Sequence, residues 1–387
     1  MNAHTVSRPD SCEPWFRLRV AIFCLALYLP LAVMLSPSLQ MWTDSRKAVF
    51  PDWLWRVGDI RRYPSLFEEQ FNAALPSRLK VAALSRSFFI DWLGISPIPE
   101  AVLGTDGWLF YTGPVSEKFL DRHVRGRDPF SHDELQRWHR LLLDRSRHFR
   151  SIGAKFVFVI APNKESIYPE HLPGWIGPRL GPSRLDQLLA YLKAAPEVTV
   201  IDLRPGLIAE KKSATQYYRT DSHWNTRGAY TAYREIARIL GPDFPGLAVK
   251  SWASFNPRLI ERRGMDVAKM VGLGGAFPDA DFEIDHGACS EPRPIPIAIP
   301  KALQSRLTAP AYASRCDAPG NIDAVIFHDS FGAALVPILE ESFRSSTNFS
   351  TTEGKNDTVG YDMPEKLKAN LVVEIMVERS LSSAPTD

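Results

Sequence analysis

Acyl transfer without a metal needs a hydroxyl nucleophile, an imidazole base and a carboxylate that orients the base. All three occur in two short strings of this 387-residue chain, Asp221-Ser222-His223-Trp224 and His328-Asp329-Ser330-Phe331. A serine hydroxyl is a weak nucleophile at neutral pH and needs a base that titrates near neutrality, whose tautomer a carboxylate then fixes. Asp221 and His223, two positions apart, can make that pair in an irregular loop. Blander readings stay open on spacing alone. Asp221 can cap the helix that follows while His223 sits at the surface, and Ser330 can belong to an ordinary strand-to-helix turn capped by Asp329. Asp-x-His can also be half of a metal site, although no Glu-x-x-His and no second histidine pair lies near it in the sequence.

The elements around the strings are those of an α/β protein. An apolar run at 324–327 reads as a strand directly before Ser330, and a helix is expected from 332 to about 343. Ser330 then falls at the carboxyl edge of a sheet, where ligands bind in open α/β folds, and the N–H groups opening the helix suit a developing oxyanion. His223 lies just before a helix expected over 226–240. Upstream, a hairpin on the Asp106-Gly107 turn is expected over 102–111. A Ser131/Glu134 capping box opens a helix to about 150, strands are expected at 155–160 and 198–201 with a helix over 183–194 between them, and a last strand spans 371–376. Short apolar strands alternating with helices imply a mostly parallel sheet covered on both faces. The stretch from about 241 to 320 is rich in Pro and Gly with weak periodicity, and reads as a surface excursion that walls a cleft.

Composition, at 45% hydrophobic and 23% charged residues, is that of a folded protein, and the net charge of +2 comes from interspersed charges. The absence of Lys/Arg runs argues against a nucleic-acid partner. Residues 20–42 carry no charge and are mostly apolar, with Arg17 and Arg19 at the start and Trp15 and Trp42 at the flanks. They read as a transmembrane anchor, preceded by a tail over 1–19 and followed by a stalk over 43–100 that contains a helix over 63–92. A cleaved signal peptide is the alternative, without a clean Ala-x-Ala site. Cys289 and Cys316, the two cysteines of the body, read as a disulfide in an oxidising compartment, with two free thiols as the alternative.

In combination the two strings resemble the SGNH-hydrolase-like proteins of the alginate O-acetyltransferase type, AlgJ/AlgX-like. Several ordered blocks are similar to that family: Gly104-Thr105-Asp106-Gly107-Trp108-Leu109-Phe110-Tyr111, Pro162-Asn163-Lys164 at a strand end, Thr220 to Asn225, Gly264-Met265-Asp266-Val267-Ala268, and Glu374 to Arg379. The resemblance implies an SGNH-type α/β sandwich over 101–387 with reordered catalytic blocks, the Asp-His element preceding the serine. It implies Ser330 as nucleophile, His223 as base and Asp221 as orienting acid, with no metal and no cofactor. One departure stands out: the family's small residue before Asp-Ser is His328 here, which puts the turn's geometry in question and adds a second imidazole.

Around this triad, Asn163 is expected as an oxyanion donor and Lys164 as a partner for a uronate carboxylate. Arg227 and Arg379 are expected as sugar or carboxylate contacts, and Trp224 as a sugar platform, with Trp108, Tyr111, Tyr217 and Tyr218 as weaker candidates. The implied activity is transfer of acetyl to hydroxyls of an exported, alginate-like or other polysaccharide. The implied setting is the inner membrane with the domain in the periplasm, and the implied donor a multi-span membrane O-acyltransferase. A carbohydrate acetylesterase with the same triad and a non-catalytic scaffold of an export complex are the alternatives.

Overall fold

A computed structural model describes residues 89–90, 93–113, 116–273, 277–286, 289, 292–316, 320–352, 360–382 and 385. The expected tail, the anchor over 20–42 and most of the stalk, including its helix over 63–92 apart from residues 89–90, lie outside the described residues. Among the described residues no helix is long and apolar enough to cross a membrane. Leu93–Asp387 is one compact unit, and it holds both strings.

The strands in chain order are β1 (Ala101–Leu103), β2 (Leu109–Tyr111), β3 (Lys155–Ala161), β4 (Val200–Asp202), β5 (Arg258–Arg262), β6 (Asp279–Glu283), β7 (Tyr312–Arg315), β8 (Asp323–His328), β9 (Ser345–Ser350) and β10 (Leu371–Val377). Six of them form one sheet in the order β4-β3-β10-β8-β9-β7, with only β7 antiparallel to its neighbour. The central strands β3 and β10 are apolar at nearly every position because both of their faces are covered. Glu374 is the exception in β10, and both of its carboxylate oxygens accept 2.6 Å bonds from Arg145.

One face is covered by α1 (His132–Ser151), which opens on the expected Ser131/Glu134 capping box, and by α3 (Arg184–Leu192); between them in sequence lies the short α2 (Lys164–Ile167). Trp138, Leu142 and Phe149 of α1 meet Phe156, Phe158, Val372 and Met376 of the sheet there. After α4 (Arg204–Glu210), helix α5 (Thr226–Leu240) covers the opposite face; α6 (Asp266–Met270) follows, and α7 (Gly332–Glu340) joins α5. Tyr233, Ile236, Leu335 and Leu339 pack there against Val157, Val159, Val373 and Ile375. Successive residues of β3 and β10 thus serve opposite cores, as strand geometry requires.

Counting from β8, and wrapping from β10 back to β3, the parallel strands stand in the order 2-1-3-4-5 of a doubly wound sheet. The chain starts partway through that winding, which is why the Asp-His loop precedes the serine. Ser330 follows β8, and the winding reverses between β8 and β10, the crevice in which such sheets bind ligands.

The region 241–320 is more structured than its composition suggests. It contains α6, the β5–β6 hairpin and the edge strand β7. The hairpin escapes a hydrophobic pattern because the inward positions of β6 are carboxylates: Asp279 and Asp281 are buried. Strand β9, Ser-Ser-Thr-Asn-Phe-Ser, is missed for a similar reason. Its buried Ser346 and Asn348 donate to the Glu340 carboxylate at 3.0 and 3.1 Å. Cys289 and Cys316 form a disulfide.

Candidate active site

The Asp221-His223 string lies in a loop between α4 and α5 that is held from several sides. Buried Lys164 sends its ammonium to the carbonyls of Tyr218 (3.1 Å), Arg219 (3.0 Å) and Asp221 (2.6 Å). Rings of Trp108 and Phe110 lie 5.5 and 5.2 Å from that ammonium. Asp279 accepts the N–H groups of Arg219 and Thr220, and Asp281 accepts the Tyr218 hydroxyl and the Thr226 N–H. Asn225, not Asp221, caps α5, its side chain accepting the Gly228 N–H at 2.9 Å. A loop with few apolar residues is thereby fixed by charge-assisted bonds.

The second string is held by Asp329. Its carboxylate accepts the Phe331 N–H at 2.9 Å and, across the crevice, the Val377 N–H beyond the end of the β8–β10 pairing at 2.6 Å. The N–H groups of Gly332 and Ala333 close turns onto the carbonyls of Asp329 and Ser330. The helix opening was expected to offer oxyanion donors, and the N–H groups of Phe331, Gly332 and Ala333 are already engaged in shaping the turn.

His328 is buried, and its Nδ1 donates to the Asp329 carbonyl at 2.8 Å. Burial pushes its pKa down, favouring the neutral ring. Its bulk is accommodated by Gly332, where an added Cβ would lie 2.3 Å from ring atoms of His328.

The two strings meet. His223 Nδ1 donates to Asp221 Oδ1 at 2.7 Å, and His223 Nε2 lies 2.8 Å from Ser330 Oγ. Ser330 is exposed, His223 half-buried and Asp221 buried. The His223 ring also rests against Phe331, centroids 4.7 Å apart.

A residue not singled out as a site residue joins them: Asp266, at the start of α6. It accepts the Ser222 N–H at 2.7 Å and the Ser222 hydroxyl at 2.5 Å, and its Oδ2 lies 3.5 Å from His223 Nδ1. Its own N–H donates to Asp221 Oδ2 at 3.0 Å. Burial works against a charged imidazole, but Asp221 and Asp266 outweigh it and raise the His223 pKa to about 9. Conversely, despite burial, bonds from His223 and Ser222 hold the Asp266 carboxyl well below its ordinary value. Donor atoms of Asp221, His223 and Asp266 lie within 4.8 Å of one another, close enough for a cation. Every carboxylate oxygen of the pair already accepts a hydrogen bond, from His223, Asp266, Ser222 or Val267.

The other expected residues divide. Lys164 is buried beneath the loop, so its expected role on a uronate carboxylate gives way to one on backbone carbonyls. Burial lowers its pKa to about 8. Trp224 is also buried, and its indole N–H donates to the Phe331 carbonyl at 3.1 Å; it braces the turn that carries Ser330 and offers no free ring face to a sugar. Tyr217 and Trp108 are buried in the core, while the Tyr218 hydroxyl is committed to Asp281. Asn163 is buried at the end of β3, with Oδ1 accepting the Arg379 N–H at 3.1 Å and Nδ2 without a partner among the described residues. The Arg379 guanidinium lies 5.4 Å from the Phe331 ring and 5.3 Å from that of Tyr111. Arg227 stacks on Trp252 at 4.7 Å and Tyr230 at 5.6 Å.

Comparison with known proteins agrees with this architecture. Residues 101–280 match the family model "SGNH hydrolase-like domain, acetyltransferase AlgX", a span that takes in Asp221, His223 and Asp266 and stops short of Ser330. The probable alginate O-acetylase AlgJ of Pseudomonas aeruginosa is 30% identical over 145 residues, covering 38% of this chain and 33% of that protein. The probable alginate O-acetylase AlgJ of Pseudomonas fluorescens is 28% identical over 152 residues, covering 38% and 35%. The match thus spans about a third of the length of these curated relatives. Among solved structures, Bacillus cereus PatB1 with a sulfonyl adduct shares the fold at a TM-score of 0.51 and 16% identity, over 74% of this chain and 95% of that one. Residues 101–280 are therefore similar to the SGNH hydrolase-like, AlgX acetyltransferase family, and the chain is distantly similar to the AlgJ alginate O-acetylases.

Proposed function

We propose that the chain is an O-acetyltransferase that moves acetyl groups to hydroxyls of an exported polysaccharide through an ester on Ser330. The observation that carries this reading is the continuous hydrogen-bonded path from Asp221 through His223 to Ser330, at 2.7 and 2.8 Å. His223 Nε2 takes the Ser330 proton as Oγ attacks the donor's acetyl carbonyl; the donor's acyl bond breaks and its leaving group departs with that proton. A sugar hydroxyl then gives its proton to Nε2 and attacks the Ser330 ester, and Oγ leaves and is reprotonated. Asp221 holds the tautomer with Nδ1 protonated, so that Nε2 faces Ser330. Asn163 Nδ2 is assigned to the oxyanion and Arg379 to acceptor carboxylate or hydroxyl groups, because Asn163 bonds the Arg379 backbone and the Arg379 guanidinium covers Phe331 beside the nucleophile.

A periplasmic setting on an inner-membrane anchor fits the Cys289–Cys316 disulfide and the apolar segment over 20–42. There the acetyl would come from a multi-span membrane O-acyltransferase. The exposure of Ser330 favours one second reading, an acetylesterase in which water replaces the sugar. The scaffold alternative loses its main support, because the bulk of His328 is housed against Gly332.

Full-length protein supplied with an activated acetyl ester and a uronate oligosaccharide discriminates these readings. Acetylated sugar that disappears with Ser330→Ala supports transfer. Free acetate alone, also dependent on Ser330, means an esterase, and activity unchanged in Ser330→Ala sinks both.

A further inference from the structure

The imidazole of His223 has two carboxylates behind it where the reaction needs one. Asp221 Oδ1 takes the Nδ1–H at 2.7 Å; on the other side stand Ser222 Oγ at 3.2 Å and Asp266 Oδ2 at 3.5 Å. The Ser222 hydroxyl donates to that same Asp266 oxygen and turns its lone pair toward Nδ1. Asp266 also donates its backbone N–H to the far oxygen of Asp221, so the two carboxylates are tied together. Through Ser222, Asp266 therefore grips the segment on which His223 rides, from an element that lies between the two strings in sequence.

We infer that Asp266 is a positioning residue of the site, a second carboxylate that acts with Asp221 to aim Nε2 of His223 at Ser330 and to favour the charged imidazole. The inference rests on reading Asp221, His223 and Ser330 as the reacting set. Other charged groups nearby have separate commitments. Lys164 lies behind Asp221 on backbone carbonyls, Asp279 binds the N–H groups of Arg219 and Thr220, and Asp329 binds Phe331 and Val377. Arg379 faces the Phe331 ring that His223 also touches, and its charge opposes the two carboxylates. With the balance raising the imidazole to about 9, resting His223 holds its proton at neutral pH, and acylation of Ser330 must speed up as that proton leaves.

Two readouts on the full-length chain test this: the imidazole nitrogen and proton resonances of His223 against pH, and the pH dependence of Ser330 acetylation by p-nitrophenyl acetate. In the unmodified protein His223 is expected to be doubly protonated at neutral pH, with both midpoints near 9. Asp266→Asn should lower both midpoints by about one unit or more, and Asp266→Glu should recover much of the shift. A neutral wild-type imidazole at pH 7, or an Asp266→Asn midpoint unmoved beyond about 0.3 unit, overturns the inference. If Asp266→Asn fails to fold, Ser222→Ala, which removes the hydroxyl between Asp266 and His223, should lower both midpoints as well, and unmoved midpoints there overturn the inference. A shifted resonance without any acetylation of Ser330 would support the Asp266 coupling and contradict the transfer reading. Acetylated Ser330 with an unmoved midpoint would do the reverse.

Discussion

His328 and Gly332 show how a departure at one residue is absorbed by another. In the sequence, a histidine before Asp-Ser looks like a threat to the turn that presents Ser330. In the fold the ring occupies the space that a side chain at position 332 would need, and its Nδ1 is satisfied by the Asp329 carbonyl. Gly332→Ala should therefore cost about 1–3 kcal/mol through overpacking. His328→Ala should be milder in the Gly332→Ala background than alone, because the clash is gone. Chemical denaturation of the two single variants and the double variant measures this coupling, and strict additivity would refute it. At this scale the sequence is legible where chemistry is local: Asp221, His223 and Ser330 stand out by residue type, and grouping them as one set comes from the resemblance of the blocks around them. Asp266 falls in a block similar to the family's but has no role that its type or spacing would show, since its meaning comes from a contact made only when α6 folds back on the loop. Lys164 and Trp224 have the right chemistry for a substrate but are buried, and burial of a polar strand-end residue is a tertiary fact.

At the scale of elements, the loop between α4 and α5 is positioned by side chains from other segments. Lys164 comes from α2, Asp266 from α6, and Asp279 and Asp281 from β6. Removing the ammonium strands three carbonyls above a buried site. Lys164→Met should destabilise the domain by about 2–4 kcal/mol and slow Ser330 acetylation more than tenfold even where the protein is folded. Paired denaturation and single-turnover measurements check both; a full rate at full stability would mean the loop holds itself. The elements that periodicity finds, α1, β3, α5, β8 and β10, are those whose apolar faces meet a core. Those that it misses, β6 and β9, bury Asp, Ser and Asn against specific partners, and binary patterning does not register such a strand.

For the whole molecule, the perturbed groups among the described residues make stability depend on pH with opposing signs. Burial is the main cause that raises Glu340, to about 7, and it also raises Glu165 and Glu378. Each binds its proton more tightly folded than unfolded, so stability falls as pH rises from about 4.5 to about 7. His223 extends the decline from 6.5 to about 9 by the same sign, because its stabilising charge is present below the unfolded value and lost above. Depressed Asp266 and Asp281 act in the other direction, losing stability as pH drops below 3.8. Lys164, lowered by burial to about 8, offsets part of the loss only above that pH. Burial lowers His123 to about 3 and also lowers His328, and both act against that fall, gaining stability as pH rises toward 6.5, so the carboxyl share is isolated by substitution: Glu340→Gln should flatten the fall in thermal midpoint toward pH 7. The same slope in Glu340→Gln as in the unmodified protein would contradict this assignment. The parallel α/β class and the Asp-His-before-Ser arrangement are legible in the chain, but the 2-1-3-4-5 winding entered partway is visible only once β10 is seen between β3 and β8.

The account depends most on Ser330 carrying the acetyl group. Brief exposure of the full-length protein to an activated acetyl ester, an acid quench, and peptide mapping by mass spectrometry should find one acetyl on the peptide that contains Ser330. It should be absent from Ser330→Ala and slow to form in His223→Ala. Acetyl on another residue, or an equal yield from Ser330→Ala, would contradict the account.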